Sequence, residues 1–478
     1  MPHNESSAPE NAFLLPPEED QVDVEVGGSG FWCLCIQHAS NTSGDRTSEY
    51  LMYLLLVVIF QTTLLPSAIF GFSATLSGIL LSRWVGTLVD SHPKLSLVRT
   101  CIFIQKTSAA IAYAAFALLL STPQQPPSLQ DEYNLLNYSA IVLCGCALRV
   151  STICIQIAVE RDWVTCIAHG SDRALSRLNV SLRRVDLFCN LTAPLVVSIF
   201  TTLLSYRTTS LLMFAVSLLT MGFELYWIDV VYSSFPRLHA EQRASESPLE
   251  EPRGWKSALA NQLNDWSEFI QLPVFLSSVA LSLLYITVLS FDGNMLGYLK
   301  TKKFEDSFLA AMRSLGVITG LLGTLVAPAL ETRLGSARAG SWSIWSEAIC
   351  LVPVTFAFAQ QLRKNEKTLP SVSSALIFGG MAASRVGLWS FDLIQLKQLQ
   401  EALVNHPRRN TLTALQFSMA NMADLLKYIL AMILSRPVQF PWAAIISFVT
   451  VSCGAITYTI YLKRERGHIF HVPCLKTD

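Results

Sequence analysis

Long apolar runs alternate with short polar punctuation along this chain, and the runs set its architecture. A helix that crosses a bilayer needs about 20 consecutive, mostly apolar residues. Such runs fall near 50–72, 70–90, 98–121, 137–160, 186–205, 208–233, 271–298, 306–330, 339–360, 371–398, 411–435 and 440–462, and the semi-polar stretch Phe31 to Asn41 extends the first. The pattern predicts twelve helical spans. Basic residues give the orientation, because lysine and arginine concentrate in cytosolic loops. Lys94 and Arg99 follow span two; Arg161, Arg173, Arg177, Arg183 and Arg184 follow span four; Arg237, Arg243, Arg253 and Lys256 follow span six. Residues 121–138, between spans three and four, hold no lysine or arginine. Even-numbered loops and both termini are therefore expected in the cytosol. Lys300, Lys302 and Lys303, with Arg363, Lys364 and Lys367, lie in loops expected outside and run against the rule.

A short string recurs. Gly86-Thr-Leu-Val89 returns as Gly323-Thr-Leu-Val326, each read as closing a span on the cytosolic side. Six spans plus six in parallel is the major-facilitator plan. The expected fold is an all-α integral membrane bundle with an N-terminal half at 31–234 and a C-terminal half at 271–463. Residues 1–30 are polar and acidic and read as a disordered cytosolic tail; residues 464–478 form a second tail. Between the halves, 235–270 is a linker. In it Trp255, Leu259, Leu263, Trp266 and Ile270 recur at helical spacing. They fit either an amphipathic helix on the inner membrane surface or a soluble helix packed on the bundle.

Composition narrows the function. Hydrophobic residues make up 51% and charged residues 15%, and the net charge is zero, so nothing argues for nucleic acid. The eleven cysteines show no disulfide spacing and read as packing residues. His468, His471 and Cys474 stand at three-residue spacing in the tail without a fourth ligand. There is no phosphate-binding loop to drive a pump and no hydrolase elbow or His-Glu-x-x-His. The expectation is a gradient-driven carrier, not an enzyme, with no permanent cofactor. Membrane lipid is its surrounding partner, and a monomer is expected. The sequon at Asn137 falls on the side expected outside.

Acids inside spans carry the candidate chemistry, since a charge at membrane depth is costly and faces a cavity or a partner. Asp45 lies at the first span; Asp186 and Asn190 share a face of span five; Glu224 lies in span six. In span seven, Asp292 and Gly293 interrupt an apolar run, which predicts an unwound helix lining a cavity. Asp392 lies in span ten with Arg385 seven residues before it, and Arg385 is expected to neutralise an acid, with Asp392 nearest in sequence. Asp424 in span eleven is followed by Lys427 and reads as an internal ion pair. Oxygen ligands of this kind suit hard or borderline divalent cations. Asp90, Lys94, Arg161 and Asp162, at the cytosolic ends of spans, read either as an inner gate of ion pairs or as solvated charge, and Asp186, Asn190, Arg385 and Asp392 are grouped with them as gate residues, with Asp292, Gly293, Asp424 and Lys427 as a second site.

Several strings together resemble the ferroportin family of iron exporters (solute carrier family 40). They are Gly44-Asp-Arg46, Glu160-Arg-Asp-Trp163, Arg183-Arg-Val-Asp-x-x-x-Asn-Leu-Thr-Ala-Pro194, Leu284-Tyr-x-Thr-Val-Leu-x-Phe-Asp292, Arg385-x-Gly-Leu-Trp-Ser-Phe-Asp-Leu393 and Ser418-Met-x-Asn-x-x-Asp-Leu-Leu426. The resemblance implies export of ferrous iron, with cobalt or manganese, in exchange for protons. It implies an amino-half metal site at Asp45, with Glu49 where the family has histidine. It also implies calcium binding through Asp45, Gln105 and Glu224, with Ser217 in place of asparagine. At the carboxy-half site Gly293 stands for the family's cysteine and Lys427 for its histidine, so that second site loses both ligands. Control by the peptide hormone hepcidin, which contacts that cysteine, is not expected. The broken span then reads as a moving hinge, with metal held near Asp45. A carrier drifted to another substrate, or a non-transporting receptor or scaffold, are the alternatives. Plasma membrane and organelle membrane both remain open.

Overall fold

The long apolar runs are helices. The computed structural model describes residues 28–61, 63–121, 131–168, 172–238, 266–364, 371–403 and 409–466. Its helices are α1 (Ser29–Ile59), α2 (Leu65–Ser91) and α3 (Lys94–Leu119), α4 (Glu132–Ala168) with a wide π segment at Gln156–Trp163, α5 (Asp172–Leu203) and α6 (Tyr206–Ser234). The second set is α7a (Phe275–Tyr285), α7b (Gly293–Thr301), α8 (Asp306–Leu334), α9 (Ser336–Lys364), α10 (Ser371–Leu403), α11 (Arg409–Ile433) and α12 (Phe440–Arg466). The first half is built on α1 against α5 and α6, α3 against α4 and α6, and α2 against α4. In the second half α9 packs on α10 and α12, α8 on α10, and α7a on α11 and α12. The halves meet where α5 lies on α8, α2 on α11, and α7b on α1 and α2.

Among the described residues, nine helices are long and apolar enough to cross a membrane. The three that fall short are α1, α7 and α11. α1 carries Asp45, Arg46 and Glu49; α7 is two short pieces; α11 carries Asp424 and Lys427. Polarity concentrates where the candidate chemistry lies.

The first span is corrected. It was expected at 50–72, yet the helix starts at Ser29 and ends at Ile59, and Pro66 opens α2 in its first turn. The polar residues of α1 face inward: Gln37, His38, Asn41, Thr42 and Ser48 are all buried against neighbouring helices. A search for continuous apolar runs misses a helix whose polar face is its packed face.

One end of the bundle ties the halves together. The Leu64 amide donates to the Ser435 carbonyl at 2.8 Å, and the Tyr206 hydroxyl donates to Asp306 at 2.6 Å. Lys300 pairs with the same Asp306, so this lysine, anomalous by the loop-charge rule, is internally neutralised. The Tyr53 and Tyr428 hydroxyls meet at 3.1 Å.

Other expectations fare differently. The repeated strings do not sit alike: Gly323 lies mid-helix in α8, where a Cβ would come within 2.6 Å of the Val386 carbonyl, whereas Gly86 lies near the end of α2 and faces open space. Asn137 is buried in α4 and donates to the Tyr133 carbonyl at 2.9 Å, so the sequon offers no surface for a glycan. The described cysteines are free thiols. Most of the amphipathic segment (255–265), the tail residues His468, His471 and Cys474, and the side chains of Asp90 and Arg161 lie outside the described residues.

Candidate metal pathway

Two polar centres occupy the bundle. The first lies within the amino half, beside a cavity of about 330 Å³ lined by Asp45, Gln105, Lys106 and Ser217. A hydrogen-bonded line crosses four helices here. Thr152 of α4 donates to Asp45 of α1 at 2.8 Å, and Gln105 of α3 donates to Thr152 at 3.0 Å. Asn41 of α1 donates to Gln105 at 2.9 Å and to Glu224 of α6 at 3.1 Å. Ser40 adds a 2.8 Å bond to Glu224. Networks of this kind are rigid when every member is satisfied.

Glu224 is fully buried, and its counter-charge is Lys106, whose Nζ lies 2.7 Å from Oε1. Burying a carboxylate without such a partner costs several kcal/mol. Sequence reasoning missed this residue, although a lysine one step from Gln105 inside the apolar run of α3 was a readable signal. Asp45, Gln105 and Ser217 thus line one cavity, and Glu224 joins Gln105 through Asn41. Ser217, however, spends its hydroxyl on the Met213 carbonyl at 2.8 Å. The calcium expectation finds little to rest on. Glu224 is already neutralised, and among the described residues no group of three or more His, Cys, Asp or Glu could hold a metal ion.

Glu49 does not join this centre. One turn beyond Asp45, it faces the second cavity, of about 740 Å³, between the two halves. This cavity gathers Glu49, Asp186, Asn190, Asp292, Arg385 and Asp392, which come from three helices and the interrupted span. Arg46, Arg183 and Arg313 line it too. Arg313 of α8 reaches Glu49 of α1 at 2.9 Å, an ion pair between halves. Arg46 pairs with Glu49 at 3.2 Å and with Asp186 at 2.8 Å, and Arg183 reaches Asp186 at 3.1 Å. The sequence treated Asp186, Asn190, Arg385 and Asp392 as gate residues and Asp292 as a second site; the fold makes them one wall.

The chain breaks within α7, and much of its freed backbone is engaged. Between Tyr285 and Gly293 the chain leaves the helix. The Val288 amide donates to Ser447 at 3.0 Å, the Leu289 amide to Thr287 at 3.0 Å, and Thr450 donates to the Ile286 carbonyl at 3.3 Å. Arg385 donates to the Leu289 carbonyl at 2.6 Å. Its expected pairing with Asp392 is corrected: Asp392 instead accepts from the Tyr285 hydroxyl at 3.3 Å. Asp292 caps α7b, accepting from the Asn294 and Met295 amides at 3.2 and 3.4 Å. It also pairs with Lys427 at 3.0 Å, and Asp424 pairs with the same ammonium at 2.7 Å. The expected Asp424–Lys427 pair is therefore a three-membered cluster. Gly293 is required: a Cβ there would lie 2.2 Å from the Tyr53 ring.

At the other end of the bundle, Lys94 of α3 pairs with Asp162 in the π segment of α4 at 2.8 Å. These two residues of the expected gate pair with each other, within one half and not across both.

Residues 29–451 match the family model described as Ferroportin1 (FPN1). Solute carrier family 40 member 1 of Oryza sativa subsp. japonica is 30% identical over 454 residues, covering 92% of each chain. A bacterial homologue of the iron transporter ferroportin in its inward-facing state superposes with a TM-score of 0.73 at 20% identity, covering 92% of this chain and 98% of that one. An outward-facing structure of a bacterial homologue gives 0.61 at 20% identity, covering 91% and 100%.

Proposed function

The chain belongs to the ferroportin family and is a multi-pass membrane transporter, not an enzyme, and from that premise we propose that it moves a divalent metal ion, with ferrous iron, cobalt and manganese as the cargoes to test. The observation that carries this reading is the wall of the central cavity. Glu49, Asp186, Asp292 and Asp392, far apart in sequence, converge there beside an unwound helix. Carboxylates at membrane depth mark cation pathways.

Every one of these acids except Asp392, which meets the Tyr285 hydroxyl, is balanced by a lysine or arginine in this state. Lys106 and Lys427 act as tethered cations, each resting where its half favours positive charge. Cargo must compete with them, and an entering dication outbids an ammonium only where carboxylates converge. Asp45, bonded to Thr152 and lining the smaller cavity, makes no direct ion pair among the described residues and is the first place for metal to settle.

Transport proceeds by alternating access. The ties at Leu64–Ser435 and Tyr206–Asp306 close the end expected outside, and the closer likeness to an inward-facing fold supports a cavity opening to the cytosol. Both termini are then cytosolic. The protein works as a monomer in the plasma membrane or an organelle membrane, without hepcidin control, since Gly293 offers no thiol.

Purified protein in proteoliposomes should carry radiolabelled iron, cobalt or manganese, and Asp45→Ala should reduce that flux to background. Flux unchanged in Asp45→Ala would move the site elsewhere. No flux of any of the three metals would leave a different cargo, which the arginines Arg46, Arg183 and Arg313 along the cavity would favour if it were anionic.

A further inference from the structure

Glu347 of α9 belongs to neither centre described above. It is fully buried, and neither carboxyl oxygen has a hydrogen-bond partner. Its position is tightly enclosed. A Cβ on Gly387 of α10 would lie 2.7 Å from the Glu347 amide and 2.6 Å from the Ser343 carbonyl, so α9 and α10 touch backbone to backbone at this level. A bare carboxylate in such a place has no counter-charge at contact distance and is strongly disfavoured.

The charged and titratable groups around it are few. Arg385 faces it from α10 and interacts with it electrostatically. Tyr285 faces it from α7a, but its hydroxyl is given to Asp392. Cys350 lies one turn along α9 itself. From α12, Tyr458 approaches α9 at Gly340 with its hydroxyl accepting from Gln398 at 2.8 Å. Among the described residues, Arg385 is therefore the one cation that serves Glu347. That arginine has a second partner, the Leu289 carbonyl in the α7 break, and its Nε is itself buried without a partner.

We propose that Glu347 is a proton-binding site that controls the α7 break through Arg385. With Glu347 protonated, Arg385 stays on the Leu289 carbonyl, the contact seen here, and holds the unwound segment. When the proton leaves, the carboxylate draws the guanidinium away, and the Leu289 carbonyl and its neighbours are released. The Glu347 O–H bond breaks, its proton passes to solvent water, and otherwise only hydrogen bonds change. The step supplies the coupling ion of the transporter proposed above, and it rests on that reading only in treating the break as a moving part.

Hydrogen exchange in lipid nanodiscs tests it without measuring transport. After correction for intrinsic rates, protection of the segment 286–292 should fall about tenfold or more between roughly pH 6 and pH 8.5, the loss expected for one charge-assisted hydrogen bond. Glu347→Gln, which keeps size and cannot ionise, should stay protected at both values. Glu347→Asp should retain the pH dependence. If the glutamine variant loses protection with pH as the unaltered chain does, or if the unaltered chain shows no change, Glu347 is not the switch. Failure of metal flux with this exchange pattern intact would overturn the cargo assignment and leave the proton site standing.

Discussion

Lys427→Met is expected to destabilise the protein severely, and manganese or cobalt is expected to restore much of the loss. Lys427 is 10% exposed and sits 3.0 Å from Asp292 and 2.7 Å from Asp424. Removing it leaves two neighbouring carboxylates without their common cation. Breaking a buried ion pair from one side costs roughly 3–5 kcal/mol. Asp292 and Asp424 are 24% and 28% exposed, so the cost belongs near the lower end of that range. Methionine keeps the length and apolar stem of lysine, which isolates the charge. Two acids around the space left by the ammonium then form a cation site, and a dication that binds the folded form stabilises it by mass action. Thermal unfolding in detergent, with and without added metal, reads both effects. A variant as stable as the unaltered chain, or one that metal does not rescue beyond it, would show that Lys427 is not standing in for a cation.

Gly293→Ala is the second large effect, and it tests packing instead of charge. The added methyl would lie 2.2 Å from Tyr53 Cδ1 and 2.5 Å from Cε1. The ring has little freedom to yield. It is buried, edge-on to Phe70 at 5.3 Å, and its hydroxyl is shared with Tyr428. Forcing a methyl into a filled site costs about 1–3 kcal/mol. The strain falls at the contact of α1 with α7b, one of the places where the halves are tied, so this end should also open more readily. Unfolding measurements should show reduced stability, and Tyr53→Leu in the same chain should recover part of it. Full stability of Gly293→Ala, or no recovery in the double variant, would mean the contact is looser than it stands here.

The fold was legible wherever a helix is apolar along its length. Spans such as 98–121 and 440–462 correspond closely to α3 and α12. It was least legible in α1, because inward-facing Gln37, Asn41 and Asp45 break the apolar run that a span search looks for. The α7 break was readable from Asp292 and Gly293, since an acid followed by glycine in an apolar run has few other uses. What could not be read was pairing. Arg385 was assigned to the nearest acid in sequence, yet seven residues place Arg385 and Asp392 about two turns apart along α10, and the guanidinium finds a carbonyl on another helix. Lys106 and Arg313 meet acids 118 and 264 residues away by sequence numbering, Glu224 and Glu49. Such separations leave no periodic trace. Gly293 was read as a lost thiol; its packing against Tyr53 gives it a positive reason to be glycine.

The two helices too polar to qualify as spans, α1 and α11, also bear on how the chain is made. A strongly apolar segment partitions into the bilayer by itself as it emerges from the ribosome. α1 carries Asp45, Arg46 and Glu49, and each charge at mid-membrane costs about 2.5–3.5 kcal/mol on insertion scales. The residue that neutralises Glu49 across the halves, Arg313, is synthesised more than two hundred residues later. Until α8 arrives, one end of the future cavity is an unfinished set of charges in lipid. The same ion pairs that line the pathway therefore couple assembly to insertion: a chain whose halves have not met carries charge at membrane depth that its partner half has yet to balance.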